Sequence, residues 1–410
     1  MAVRHFIFDA IKELFTGSKR YWSWIGFLLI LLAHGVSSYV TQMQSGLVVT
    51  GMSDQVSWGF YISNFAFFVG IAAAAVLLVI PAYIFDRKDV KEVVLLGESM
   101  AIAAVLVALM FVMVDLGRPE RIWHVIPYIG AFNFPDSILA WDTLVLSGYL
   151  LLNAATLCYV LFLHYHGKIP TSKLYFAVVV ITMFWAISIH TVTAFMFSSN
   201  PSRAMWHTSL LGPRFIASAF ASGPALIIIT LGVIRSLTDY RFSQTVIDIL
   251  ALIMTVALQM TLFFVGVELF TDFYNEGHHG ASIRYLFLGI EGLGNLRPWI
   301  WAALAMNLVA VSILMLHSLR RDMKWLYTAC VLTFFGIWIE KGMGLVVPGF
   351  IPTTLGEVFE YSPTATEISI ALGIWAFGML VFTILAKTVV AVELGRLKYQ
   401  DPNPYRPRAL

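Results

Sequence analysis

The chain has 410 residues, 59% of them apolar and only 12% charged, with a mean hydropathy of +0.81. That composition excludes a soluble globular domain. The net charge of +2 gives no reason to expect a nucleic-acid partner.

Ten apolar segments are long enough to cross a bilayer, at 22–42, 58–82, 93–114, 138–163, 174–197, 213–233, 247–269, 299–317, 325–340 and 368–391. The connections leave no room for a soluble domain, because the longest, 270–298, has 29 residues. The expected fold is therefore all-α: a polytopic membrane protein of about ten transmembrane helices, forming one integral domain over 1–410. The first segment follows Lys19 and Arg20 but is too long for a signal peptide and has no A-x-A-like site after it, so it reads as a retained helix. Of 26 Lys and Arg residues, only Arg118, Arg121, Arg203, Arg214, Arg284, Arg297 and Lys341 fall on the outer side if the N-terminus is inside. The other 19 fall inside, which predicts cytoplasmic termini in a prokaryotic inner membrane.

Residues 1–20 interleave Phe6, Phe8, Ile11, Leu14 and Phe15 with Arg4, Lys12 and Lys19, the pattern of an amphipathic lead lying in the cytoplasmic interface. The first segment carries His34, Ser38, Thr41, Gln42 and Ser45 at helical spacing, a pattern suited to helix–helix hydrogen bonds. In the second segment Ser57, Tyr61 and Asn64 form one stripe, and Ala66, Gly70 and Ala74 form a small-residue ridge for close packing. The third holds Glu98 about two turns inside its cytoplasmic end and finishes at Asp115.

The stretch from Asp115 to Asn153 organises the chain. Its loop, DLGRPERIWHV, holds Asp115, Arg118, Glu120, Arg121 and His124; ion pairs that fix the helix ends are the plain reading of such a turn. Asp142 comes four residues into the fourth segment, with Tyr149 and Asn153 on the same helical face. A carboxylate there is costly in lipid and marks a functional candidate. His190 lies about two turns below the outer end of the fifth segment.

Trp206, in the following loop, reads as an interfacial anchor, and Pro224 in the sixth segment as a kink. Glu340–Lys341 at the end of the ninth reads as an interfacial ion pair, and the loop 342–366 as an outer cap. The basic tail 392–410 obeys the inside rule. No internal repeat is evident, which removes support for an inverted-repeat transporter. Cys158 and Cys330 are the only cysteines, so the chain cannot hold an iron–sulfur cluster or a covalent c-type haem by itself.

Asn64, Asp115, Asp142 and His190 come from four consecutive segments, all at the outer third. Four such helices can form a bundle over 58–197 into which their polar groups converge. Apolar walls, aromatic rings and a few donors and acceptors suit a lipid-soluble aromatic ligand such as a quinone, whose reduction needs two protons beside two electrons. A b-type cytochrome pairing His34 with His190, or His164 with His317, is an alternative. So is a proton-coupled transporter built on Asp142.

DLGRPERIW, AWDTLVLSGYLLLN, IHTVTAFMF and PRFIASAFASGPAL resemble the NrfD/PsrC-type membrane subunit family. The ten-helix layout and WGFYISNFAFFVGIAAAA are most similar to its members in sulfur-metabolism complexes, especially the P subunit of the Dsr membrane complex, with similar subunits in the Qrc, Hmc and Tmc complexes. The resemblance implies a quinone-interacting anchor of a respiratory complex, with no haem or metal of its own. It implies menaquinone as the substrate, a ferredoxin-like iron–sulfur subunit on the outer face, and in some complexes a multihaem cytochrome c. It also implies a site built from the Asp115 loop with Arg118 and His124, and from Tyr61, Asn64, Asp142, Tyr149 and His190. Asp142 and His190 are the expected proton-exchanging pair, with Glu98 and Asn153 on a proton path.

Overall fold

A computed structural model describes residues 2–274 and 280–399. The chain order is α1 (Ala2–Leu14), α2 (Lys19–Ser45), α3 (Phe60–Ala73), α4 (Val76–Tyr83), α5 (Lys88–Asp115), α6 (Ile138–Tyr165) and α7 (Lys173–Ser198). It continues with α8 (Leu211–Leu237), α9 (Gln244–Tyr274), α10 (Gly280–Leu288), α11 (Arg297–Met315), α12 (His317–Arg321), α13 (Met323–Lys341) and α14 (Ala365–Glu393). Ten spans among the described residues are long and apolar enough to cross a membrane, so the protein is an all-α polytopic membrane protein. Residues 400–410 of the expected tail and 275–279 of the longest loop lie outside the described residues.

An even number of crossings puts both chain ends on one face, called here the terminal face; the other is the distal face. The Asp9 carboxylate accepts from Tyr165 Oη at 2.5 Å, and Tyr399 N–H donates to the Tyr165 carbonyl at 2.9 Å. Both ends are thereby tied to the end of α6.

The spans pack as two rings of four and one outlying pair. Helix α3 with its continuation α4, then α5, α6 and α7 close the first ring; α8, α9, α11 and α13 close the second. Helices α3 and α7 meet α8 across the seam. The pair α2–α14 leans on α5. It closes tightly because Gly35 and Gly373 face each other: a Cβ on Gly373 would sit 2.7 Å from Gly35 Cα. Close backbone approach of this kind drives helix association where no hydrophobic difference from lipid exists.

Three sequence expectations are revised. The ninth span does not end at residue 341. It runs over Met323–Phe350, through a π-helical stretch, Gly342–Val346, and a 3₁₀ turn, Val347–Phe350. Its glycines and Pro348 read as breakers, yet the chain continues helically because α3 packs against it, with Ser63 directly beside Gly342. Glu340 and Lys341 are therefore buried roughly 13–15 Å below the span's end, at 1.5 Å per residue, rather than in an interfacial pair. Trp206 is not an interfacial anchor: it is fully buried, donates to the Leu345 carbonyl at 2.8 Å and stacks on Trp58. It supplies the π-helical stretch with a hydrogen-bond donor.

Gly373→Val is expected to force α2 and α14 apart. Overpacking of this kind costs about 1–3 kcal/mol. The thermal unfolding midpoint of the purified protein in detergent should fall by several degrees, and an unchanged midpoint would remove the Gly–Gly approach as a stabilising feature.

Candidate functional site

The polar residues singled out by the sequence occupy four places. The first is a cavity of about 320 Å³ on the distal face, between the end of α2 and the loop after α5. Tyr39, Gln42, Leu47, Leu116, Arg118 and Glu120 are among its lining residues. Its volume lies in the range of small-molecule sites.

Local chemistry explains this wall. Gln42 is buried and uses both ends of its amide: Nε2 donates to the Val114 carbonyl at 2.7 Å, and Oε1 accepts from Tyr61 Oη at 2.6 Å. The carbonyls at the C-terminal end of α5 have no intrahelical partner, so a side-chain donor from α2 satisfies one of them. Among the described residues two buried polar atoms nearby have no protein partner: Tyr39 Oη in the lining, and Oδ1 of Asp115, which precedes the lining residue Leu116. Asp115, Tyr39 and Glu367 all lie within electrostatic range of Tyr61. Arg118 is exposed at the rim, 3.5 Å from Glu120.

Glu367 anchors the far side. It caps α14 in a capping box with Thr364, accepts from Gly51 N–H at 2.8 Å, and accepts from Tyr361 Oη at 2.6 Å. The same Tyr361 oxygen accepts from Phe60 N–H at 2.7 Å, which ties the start of α3 to the start of α14. Burial pushes the Tyr361 phenol up, and the Glu367 carboxylate acts in the same direction, so Tyr361 remains a donor.

The second place is inside the first ring. Asp142, Tyr149 and Asn153 are all buried along one side of α6. Asp142 Oδ1 accepts from Thr193 Oγ1 at 2.8 Å. Tyr149 Oη donates to the Ala72 carbonyl at 3.2 Å, and Asn153 Nδ2 to the Tyr149 carbonyl. Among the described residues, no ion pair joins Asp142 to Arg118 or Arg121. His190 lies one turn before Thr193 on α7, is buried, and has no protein partner at either ring nitrogen among the described residues. Nearer the terminal face, buried Glu98 stands within electrostatic range of Tyr149 and of the Tyr83–Tyr175 hydroxyl pair, whose oxygens are 2.6 Å apart.

Asn64 occupies a third place and departs from the expected convergence. Its Oδ1 accepts from Trp338 Nε1 and from Trp375 Nε1, each at 3.0 Å, while Nδ2 donates to the Phe60 carbonyl. It faces α13 and α14, not Asp142 and His190. His124 also stands apart, exposed and stacked on Trp123 with ring centroids 3.9 Å apart.

The fourth place is the seam between the rings, where Arg214, Glu268, Glu340 and Lys341 form a charge group; the sequence reading put Arg214 on the outer side and Glu340–Lys341 at a span end. The signal available was four ionisable residues near three span ends. What hid it was the unforeseen extension to Phe350. The histidine pairing that a haem reading needs is not made. His34 is exposed on α2 against Ser369, whereas His190 is buried on α7, and His164 is paired with Glu393 at 2.6 Å.

Comparison with known proteins adds an independent line. A family model described as "Polysulphide reductase, NrfD" matches residues 48–351. A Halobacterium salinarum protein, provisionally named as a membrane subunit of dimethyl sulfoxide reductase, is 26% identical, over 87% of this chain and 88% of its own. The Hdr-like menaquinol oxidoreductase integral membrane subunit of Archaeoglobus fulgidus is 24% identical, over 92% and 95%. The menaquinone reductase integral membrane subunit of Nitratidesulfovibrio vulgaris is 20% identical, over 89% and 90%.

Asn64→Leu should leave two indole N–H groups without their acceptor. Orphaning a buried donor costs about 1–3 kcal/mol. A lowered unfolding midpoint with altered tryptophan fluorescence is expected, and no change in either would show that Asn64 does not clamp the two indoles.

Proposed function

The chain belongs to the polysulphide reductase NrfD family, and from that premise we propose that it is the quinone-exchanging membrane subunit of a respiratory oxidoreductase complex. The observation carrying this reading is the distal cavity, beside which a buried carboxyl oxygen of Asp115 and the buried Tyr39 hydroxyl have no protein partner among the described residues. The names of two relatives, each spanned almost end to end, support menaquinone as the substrate.

In this reading the quinone ring enters the cavity from the membrane and lies between α2 and the Asp115 loop. Tyr39 Oη donates to one ring oxygen and orients it. Asp115 exchanges a proton with the other, as a general acid or base according to the direction of electron flow. The Tyr61–Gln42–Val114 relay holds the cavity wall rigid, which fixes the distance over which that proton moves. Arg118 closes the rim against water. Asp142, with Thr193 and His190, and Glu98, with the Tyr83–Tyr175 pair, are the groups able to resupply protons from inside the first ring.

Electrons come from outside the chain in this proposal. Cys158 is on α6 and Cys330 is on α13 against Met254, on two different rings. The carrier is an iron–sulfur subunit docked on the distal loops, where Ile122, Trp123, Tyr128 and Ile129 are exposed. Membership of a sulfur-metabolism complex, with a multihaem cytochrome c as a further component, belongs to the same proposal.

Asp115→Asn keeps size and some hydrogen bonding but cannot transfer a proton. Quinone turnover by the assembled complex should fall on the order of 10²-fold. Asp142→Asn, one step removed from the ring, should cost less than Asp115→Asn. The reverse order would move the proton-exchanging role to Asp142.

The 19-to-7 distribution of Lys and Arg puts the terminal face in the cytoplasm. Reporter fusions after residues 50, 125 and 350 should all give an outer location. A cytoplasmic signal at 125 would turn the proposed quinone site to the opposite side.

A further inference from the structure

Helix α1 lies against the terminal ends of α6 and α14, and contacts along its length fix its orientation. The Phe6 ring meets Tyr165 and Phe162 edge-on, with centroids 5.2 and 6.2 Å apart. Asp9 takes the Tyr165 hydroxyl. At the other end, Lys387 Nζ of α14 donates to the Leu14 carbonyl at 3.4 Å and to the Thr16 carbonyl. Tyr21 Oη donates to the same Leu14 carbonyl at 3.0 Å, and its ring centre is 3.8 Å from Lys387 Nζ. A cation and a phenol thus cap carbonyls that have no intrahelical partner and carry the negative end of the α1 dipole. A helix held in this way cannot roll.

With its rotation fixed, α1 and the two residues after it present three rows. Phe6, Asp9, Ala10 and Glu13 are half-buried against the protein. Val3, Ile7, Ile11 and Phe15, at i, i+4 spacing, are exposed, and Phe8 beside them is 68% exposed. His5, Lys12 and Thr16 form the third row, polar and exposed. Residues 1–20 contain two acids, Asp9 and Glu13, and both belong to the inward row. Their four Lys and Arg residues, Arg4, Lys12, Lys19 and Arg20, are all exposed. Acids and bases interleave in the sequence, yet the surface that folding leaves outside is cationic and apolar.

Depth selects the partner for that surface. Helix α14 has 29 residues, a length of roughly 43 Å, which spans a bilayer together with its headgroups. Lys387 precedes the last residue of α14, Glu393, by six positions, so the end of α1 rests roughly 9 Å inside the end of that span. Interfacial helices bury their apolar face about 5–10 Å into the boundary between headgroups and acyl chains. The apolar row is therefore at the level of lipid, below a protein docked on the terminal face.

We propose that α1, with Lys19 and Arg20 at the start of α2, is a docking surface for anionic phospholipid. Val3, Ile7, Ile11 and Phe15 lie among acyl chains, while Arg4, Lys12, Lys19 and Arg20 take headgroup phosphates. Free phosphate would leave the apolar row unused. A zwitterionic headgroup brings its own cation beside each phosphate, so only an anionic lipid matches both the charge and the stripe. This surface is independent of the quinone reading, because it lies on the face opposite the distal cavity.

The test has two arms, both on the full chain in nanodiscs of phosphatidylcholine and phosphatidylglycerol. In the first, Cys158→Ala and Cys330→Ala clear the background and Ile11→Cys carries a nitroxide. The label should be open to oxygen, which partitions into lipid, and shielded from an aqueous nickel chelate. Access to the chelate overturns the proposal. Shielding from both reagents overturns it too, because protein then covers the row. In the second arm the ratio of phosphatidylglycerol to phosphatidylcholine retained on extraction into mild detergent is measured. The wild type should hold a ratio at least about fivefold above that of the variant combining Arg4→Gln, Lys12→Gln, Lys19→Gln and Arg20→Gln. The difference should shrink at high salt. Equal ratios in a variant with an unchanged unfolding midpoint overturn the proposal. If that variant unfolds, Lys12→Glu alone decides: a lowered ratio is expected, and an unchanged one overturns the proposal.

Discussion

Helix α3 has no free face. All fourteen of its residues are buried, because both rings and the α2–α14 pair lean on it. In such a position every polar atom must find a partner on a neighbouring helix or turn back to its own backbone. Each does so differently. Ser63 bonds back to the Gly59 carbonyl, Asn64 binds two indoles from the second ring and α14, and Tyr61 reaches α2. Beside the interruption at Ala74–Ala75, the Ala72 carbonyl takes the Tyr149 hydroxyl from α6. The central helix thus fixes the relative positions of every other layer through single directional bonds.

The distal cavity depends on that arrangement. Its wall is built by α2, which is exposed over most of its length and would be free to slide on α14 if only dispersion held it. Three constraints prevent sliding: the Gly35–Gly373 approach, the Gln42 amide bridging Tyr61 and Val114, and the Glu367 cap that also holds Gly51 and Tyr361. A ligand site at the edge of a membrane protein needs this kind of bracing, because a shift of about 1 Å disables hydrogen-bond and proton-transfer geometry.

The seam is organised in the opposite way. Replacing a buried ion cluster by apolar residues is often neutral or stabilising, so such a cluster is weak support for a stability role. Here one arginine binds one oxygen of each of two carboxylates and one lysine stands over a phenyl ring. The two rings therefore meet at ionisable side chains, a surface where the state of one ring can affect the other.

The sequence alone determined the membrane class, the ten spans and the all-α architecture, since apolar length and composition dictate these without reference to neighbours. The buried side of α6 with Asp142, Tyr149 and Asn153 was also legible, because the strongly polar residues of that span share one face. Which polar residues meet was not. Asn64 sits on a helix buried all round, so periodicity cannot say which neighbour it faces. Gln42 looked like ordinary helix–helix glue until tertiary packing set it at the end of α5. The extension of the ninth span to Phe350 could not be read from Gly342, Gly344 and Pro348, which are breakers in isolation. Packing against α3 and the Trp206 donor overrides that local preference and carries Glu340 and Lys341 into the interior. Local propensity is a one-helix property, whereas the depth and partner of a buried charge are set by the helices around it.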